Sequence, residues 1–200
     1  MLADALLSAG VPLLGFTDPD RARHGAMLCG LRVFGSDEDV LKSYHRDSVV
    51  LVNGIGAVGD ADLRSRVQQH LQADGWRFVG ARHASAVVSP FARIADDAQL
   101  LATCVIQAGA QIAEGCIVNT AAVVEHDVCL GPWVHVAPRA VLCGGVTVGA
   151  HSHIGAGAVV RQGLTLGEQT LVGVGAAVVK SFAGSGCLVG VPARLVERNA

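Results

Sequence analysis

Residues 100–148 read LLATCVIQAGAQIAEGCIVNTAAVVEHDVCLGPWVHVAPRAVLCGGVTV. Taken in steps of six, the stretch returns Leu100, Ile106, Ile112, Val118, Val124, Leu130, Val136, Leu142 and Val148. The same register runs back through Ile94 to Val88 and forward through Ile154, Val160, Leu166 and Val172 to Val178. If about a third of positions were aliphatic by chance, an unbroken series of this length would have a probability on the order of 10⁻⁸. A strand repeats every two residues and a helix every 3.6, so a period of six describes neither and fits a short strand followed by a corner. Two residues before each aliphatic position stands a small side chain at most steps, as at Ala86, Ala98, Cys104, Ala110, Cys116, Ala122, Ala140, Ser152, Ala158 and Ala176. Glycine follows the aliphatic residue at Gly131, Gly149, Gly155, Gly167 and Gly173, where a corner leaves little room for Cβ. Three such units close a triangular coil whose aliphatic residues stack as an inner ladder, and about five coils fit between Val88 and Val178. The expected fold of residues 84–200 is therefore a parallel β-helix of hexapeptide repeats.

The six-residue period is absent from residues 1–83, which alternate differently. Leu2–Ala9 reads as a helix ending at Gly10, Val11–Phe16 as a strand closed by Thr17-Asp18-Pro19-Asp20, and Val49–Val52 as a β-rich run before a glycine-rich loop. Leu63–Ala73 reads as an amphipathic helix and Trp76–Val79 as a further strand. The βαβ-type series predicts a small α/β domain of Rossmann-like character, with ligands at the carboxyl ends of its strands. In Asn53-Gly54-Ile55-Gly56-Ala57-Val58-Gly59-Asp60 the glycines, Gly59 among them, would let a phosphate approach backbone N–H groups. Asp18 could accept a hydrogen bond from a sugar hydroxyl, or simply close its own turn.

Composition narrows the function. The formal net charge of −2 and the scattered Lys and Arg argue against a nucleic-acid footprint and for a small-molecule partner. Charges interrupt every apolar run before about 18 residues, so no membrane span is expected. The opening residues lack a basic leader with a long apolar stretch, and the expected compartment is cytoplasmic. The six cysteines form no Cys-x-x-Cys pair and read as small buried hydrophobes, with no metal site expected. Four of the eight histidines, His126, His135, His151 and His153, fall inside the repeat. With Val124 pointing inward, Glu125-His126-Asp127 occupies the following corner, where flanking carboxylates could orient the imidazole as a general base. His135, His151 and His153 read as exposed residues of the prism. No cysteine neighbours His126 in its turn, which argues against a thiol nucleophile.

Asn119-Thr120-Ala121-Ala122-Val123-Val124-Glu125-His126-Asp127, then His135-Val136-Ala137-Pro138, His153-Ile154-Gly155 and Gly190-Val191-Pro192-Ala193, resembles the left-handed β-helix sugar acetyltransferases. Within these the chain is most similar to the nucleotide-sugar N-acetyltransferases of the bacillosamine and perosamine pathways and to the sialic acid O-acetyltransferases. Phe16-Thr17-Asp18, Gly59-Asp60 and Leu63-Arg64 extend the likeness into the front domain. The resemblance implies a left-handed solenoid that forms a homotrimer with active sites between subunits, and acetyl-CoA as co-substrate without a metal. It implies His126 as proton acceptor and Asp127 as the acid that raises its basicity. It also implies His135, Gly144, Ala156 and Val174 along the acetyl-CoA arm and Asn119 near the acceptor. Family members begin with a strand and a Gly-His-Gly turn that cradles the nucleotide phosphates, whereas this sequence opens at the helix that follows. That departure implies either a start further upstream or an acceptor other than a nucleotide sugar. The function expected is acetyl transfer to the amino group of a nucleotide-linked amino sugar. O-acetylation of a sialic-acid-like sugar and a non-catalytic solenoid that binds a sugar are the alternatives.

Overall fold

The computed structural model of the chain describes residues 1–56 and 62–196. From Ala81 to Leu166 the backbone advances in two-residue strands separated by four-residue corners, and the strands through Val159–Val160 pair in parallel with the strand 18 residues later, as Val123 does with Val141. Three faces result, with eight, six and five strands. The ladder read from the sequence points inward: Ile106, Val118, Val124, Val136, Leu142, Ile154, Val160 and Val172 are at most 1% exposed. The small-residue column joins the same core, with Cys104, Cys116, Ala122, Ala140 and Ala158 wholly buried.

Because side chains alternate across each two-residue strand, one outward column belongs to each face. On the eight-stranded face it runs Gln99, Ile117, His135, His153, Leu171 and Cys187. The six-stranded face carries Val87, Val105, Val123, Val141, Val159 and Ala177. On the five-stranded face the column is Arg93, Gln111, Cys129, Thr147 and Thr165. We call these the histidine, valine and threonine faces. The histidine face is extended at the C-terminal end by an antiparallel hairpin, Gly186–Val189 with Arg194–Val196.

The front segment packs on the base of the histidine face. Helix α1 (Leu2–Ser8) buries Ala5 and Leu6 against Ala81, Leu101 and Ile117. Strands β1 (Phe16–Thr17), β2 (Met27–Leu28) and β3 (Leu31–Gly35) form a three-stranded sheet in the order β1-β3-β2, parallel between β1 and β3 and antiparallel between β2 and β3. A one-turn helix α2 (Asp37–Leu41) follows, capped by the Ser36 side chain accepting from Asp39 N, and then α3 (Leu63–Ala73), with the bounds expected from the sequence.

Three strand expectations contract. Val11–Phe16 becomes β1, because Val33 to Gly35 offers ladder partners only to Phe16 and Thr17. Val49–Val52 and Trp76–Val79 reduce to one parallel bridge, Leu51 with Phe78, closed by Leu51 N–H to Arg77 O and Val79 N–H to Leu51 O. The cysteine reading also needs correction, since only Cys104 and Cys116 are buried, Cys29 is exposed, and Cys129, Cys143 and Cys187 are half-buried. These three lie on outward positions of the prism, where the inner ladder makes no demand for a small hydrophobe. No helix among the described residues is long and apolar enough to cross a membrane.

A buried polar cluster joins front and solenoid. The Gln99 side-chain amide donates to Asn53 O at 2.7 Å, and Asn53 Nδ2 donates to Arg64 O at 2.9 Å and to Gln68 Oε1 at 3.1 Å. Gln68 Nε2 donates to Asp97 Oδ2 at 2.6 Å, while Asp97 Oδ1 accepts from Gly115 N at 3.0 Å. Arg64, 3% exposed, donates to Gly115 O and stacks on Trp133 with 5.2 Å to the ring centroid.

The inward and outward alternation predicts opposite outcomes at adjacent residues. Ile112→Asp places an unpaired carboxylate in the ladder and should abolish the cooperative unfolding transition, at a cost above about 4 kcal/mol. Gln111→Asp, pointing outward, should leave the transition within a few degrees of wild type by thermal melt.

Candidate active site

His126 stands at the corner between the valine and threonine faces, where Val124 turns inward and Glu125-His126-Asp127 turns out. Its Nδ1 lies 3.0 Å from Asp127 Oδ2. A carboxylate only accepts, so Nδ1 carries a proton, and in the neutral ring Nε2 keeps its lone pair. Asp127 reaches this position through a left-handed backbone, φ +58°. The imidazole lies against Gly144, one coil further on, where a Cβ would overlap Nε2 and stand 3.0 Å from Cδ2. Side-chain exposures of 65% for His126 and 72% for Asp127 decide how the pair is read. An ion pair so open to water adds little to stability, so the fold has no need of it. An oriented imidazole with a free Nε2 is what general-base catalysis requires.

A second group lies on the histidine face and the corner leading to the valine face. Asn119 is 9% exposed and His135 is 7% exposed, and Asn119 Nδ2 stands 3.1 Å from His135 Nε2. Asn119 Oδ1 is already accepting from Thr120 N at 2.7 Å, which assigns the amide nitrogen to His135. His135 Nε2 then accepts and the proton resides on Nδ1, a buried donor without a partner. Burial, with the neighbouring His153 and the Arg64 charge, lowers the His135 pKa to about 4, so the ring is neutral at pH 7. His153 packs edge-on at 4.8 Å and is lowered by burial in the same direction. Burial also lowers Arg64 to about 10, against the opposing pull of Asp97.

The expectation that His135, His151 and His153 are exposed is overturned. His135 is buried and the other two are half-buried, with His151 Nδ1 3.2 Å from Asp62 Oδ1. Among the described residues no cluster of His, Cys, Asp or Glu could hold a metal ion.

Of the expected site residues, His126, Asp127 and Gly144 meet at one corner. Asn119, Ala156 and Val174 lie on the corner between the histidine and valine faces, with His135 on the adjoining strand. Within one chain the valine face separates the two groups. Val174 is 81% exposed. Asp18 follows β1, and its carboxylate accepts from Asp20 N at 2.9 Å and pairs with Arg23 at 3.2 Å. Gly59 lies outside the described residues. Sequence reading missed the Arg64–Trp133 stack and Asp97, which join segments distant in sequence and carry no periodic signal. It also missed Gly109, under Asp127, although a separation of one full coil marks the pair.

No protein-family model matches the chain. Solved structures do. The acetyltransferase domain of PglB from Neisseria gonorrhoeae superposes with a TM-score of 0.88 at 32% identity, over 98% of this chain and 93% of that one. The same domain has been solved in complex with acetyl coenzyme A. A histidine-to-asparagine mutant of perosamine N-acetyltransferase from Caulobacter crescentus, in complex with CoA and GDP-perosamine, superposes with a TM-score of 0.86 at 33% identity, over 98% and 90% of the two chains. WeeI from Acinetobacter baumannii, at 24% identity and a TM-score of 0.80 over 97% and 92%, shares the fold.

The lowered pKa of His135 generates a pH prediction. A histidine at 6.5 when unfolded and about 4 when folded binds protons preferentially in the unfolded chain between those values. Its contribution to stability is complete above about pH 6.5 and is lost as the pH falls toward 4. The melting temperature should therefore drop across that window, and His135→Gln, which keeps the amide contact without a titrating ring, should flatten the drop.

Proposed function

This chain belongs to the hexapeptide-repeat sugar acetyltransferases, acetyl-CoA-dependent enzymes, and from that premise we propose that it acetylates the amino group of a nucleotide-linked amino sugar in bacterial glycan synthesis. The observation that carries the proposal is the exposed His126–Asp127 pair, an imidazole whose proton is held on Nδ1 and whose Nε2 is open.

In the reaction so read, the sugar amine attacks the thioester carbonyl while His126 Nε2 takes the amine proton. The C–S bond then breaks, and the departing thiolate leaves as the thiol with a proton returned by His126. Asp127 holds the ring and balances its transient charge. A backbone N–H stabilises the oxyanion. His135, neutral with an unpartnered Nδ1–H, is suited to donate to the acetyl-CoA arm, and Gly144, Ala156 and Val174 flank that arm. Asn119 serves the acceptor. The front domain, residues 1–83 and Rossmann-like in our reading, takes the nucleotide sugar with Asp18 and Gly59, and residues 84–200 form a left-handed solenoid that carries the chemistry. Six unpaired cysteines accord with a reducing, cytoplasmic setting.

We read the active form as a homotrimer. The valine column lies on the surface, with Val87 61% and Val159 42% exposed, and such a stripe favours burial against other copies of the chain. With the valine faces turned inward, the His126 corner of one subunit would meet the Ala156 and Val174 corner of the next. That arrangement would shield a pair too open for acyl transfer in one chain.

Thiol release from acetyl-CoA with UDP- and GDP-linked 4-amino sugars should be detected for the wild type and should fall by about 10²-fold or more in His126→Ala. Release at the wild-type rate in that variant would remove His126 from the mechanism. The double variant Val123→Asp, Val141→Asp should run as a folded monomer by light scattering, with loss of activity.

A further inference from the structure

In a solenoid with coils of 18 residues, each side chain at a corner has its stack neighbours 18 positions away on either side. Around the proposed base this rule identifies two glycines. Gly144 is one coil above His126, and Gly109 is one coil below Asp127. The two side chains therefore lean in opposite directions along the prism, the imidazole over Gly144 and the carboxylate over Gly109.

The left-handed backbone at Gly109 strains any L residue, yet that strain alone does not explain the glycine. Its φ is +75°, but Thr103, Ala121, Trp133 and Arg139 hold φ between 57° and 61° at other corners, and Asp127 itself holds +58° one coil above. What a side chain at Gly109 would meet is Asp127: a Cβ there would overlap Oδ1 and stand 3.3 Å from Cγ. Gly163, at the same corner position two coils beyond Asp127 with φ +67°, would meet nothing within 4 Å. Glycine thus matters at position 109 for the space above it as well as for its left-handed backbone.

Resting on the reaction proposed above, we infer that Gly109 is a positioning residue. Its missing Cβ is the seat of the Asp127 carboxylate, and the seat keeps Oδ2 against His126 Nδ1 so that Nε2 remains the basic atom. An exposed aspartate would otherwise sample several rotamers, at an entropic cost to any one geometry. Among the described residues the ion pair of Asp127 is with His126, so no other charge fixes the carboxylate. The overlapped atom is the free end of a side chain and not backbone. A methyl group at position 109 can therefore be accommodated by swinging Asp127 away, which preserves the fold and breaks the pair.

The test compares Gly109→Ala with Gly163→Ala, which has a similar left-handed backbone and an open surround. The first readout is the ¹⁵N NMR signature of the His126 ring, which reports the tautomer without any need for turnover. Gly109→Ala should convert the Nδ1–H form into a mixture, as Asp127→Ala should, while Gly163→Ala should match wild type. The second readout is kcat/KM for acetyl transfer. Gly109→Ala should cost about 10- to 100-fold in the wild-type background and under about twofold in the Asp127→Ala background, because the seat then has nothing to hold. An unchanged ring signature, an equal loss in both backgrounds, or an unfolded Gly109→Ala beside a folded Gly163→Ala would overturn the inference. Absence of acetyl transfer by the wild type would instead remove the proposed reaction, and the ring signature would still decide the role of Gly109.

Discussion

The register of 18 between successive coils is the constraint on which the rest of the molecule depends. Backbone N–H groups of one coil donate to carbonyls of the next, as Val123 N does to Ala140 O and Glu125 N to Leu142 O, and the ladder residues stack on one another along the prism. Strands of two residues have no stability alone. They persist because a slip by one residue would turn the aliphatic ladder outward. The same constraint determines the chemistry, since a side chain at a corner can touch only its own coil and the two adjacent ones. His126, Asp127, Gly144 and Gly109 are close because 18 residues separate each ring or carboxylate from the glycine it covers.

This explains why the solenoid was legible in the sequence. The period names the inward residues, and once Val124 is assigned to the interior, His126 must be on a corner. The front segment is harder to read because its contacts obey no repeat. Leu63–Ala73 was readable from its own amphipathic pattern, yet Val49–Val52 and Trp76–Val79 extend only as far as their partners allow, which a strand propensity does not encode. The burial of His135 was likewise invisible. It arises from packing near Arg64 and His153, and the sequence around His135 resembles that of any outward strand position.

Front and solenoid meet through satisfied hydrogen bonds between Asn53, Gln68, Asp97 and Gln99, with apolar packing from α1 alongside. Arg64 is the exception, with Nε and Nη2 buried and unpartnered. Its charge is tolerated through Gly115 O, the Trp133 face and the nearby Asp97. The same charge adds, after burial and the neighbouring His153, to the effects that keep His135 neutral, so the joint that attaches the front segment contributes to the electrostatics of the solenoid face.

The central claim is that an oriented imidazole at the prism corner delivers acetyl to an amine. Its most direct test uses acetyl-CoA labelled with ¹³C in the acetyl carbonyl, UDP- and GDP-linked 4-amino sugars, and NMR of the product. The account predicts a labelled amide on the amino nitrogen of one such sugar. Label recovered as an ester on a hydroxyl, or only as free acetate, would contradict it.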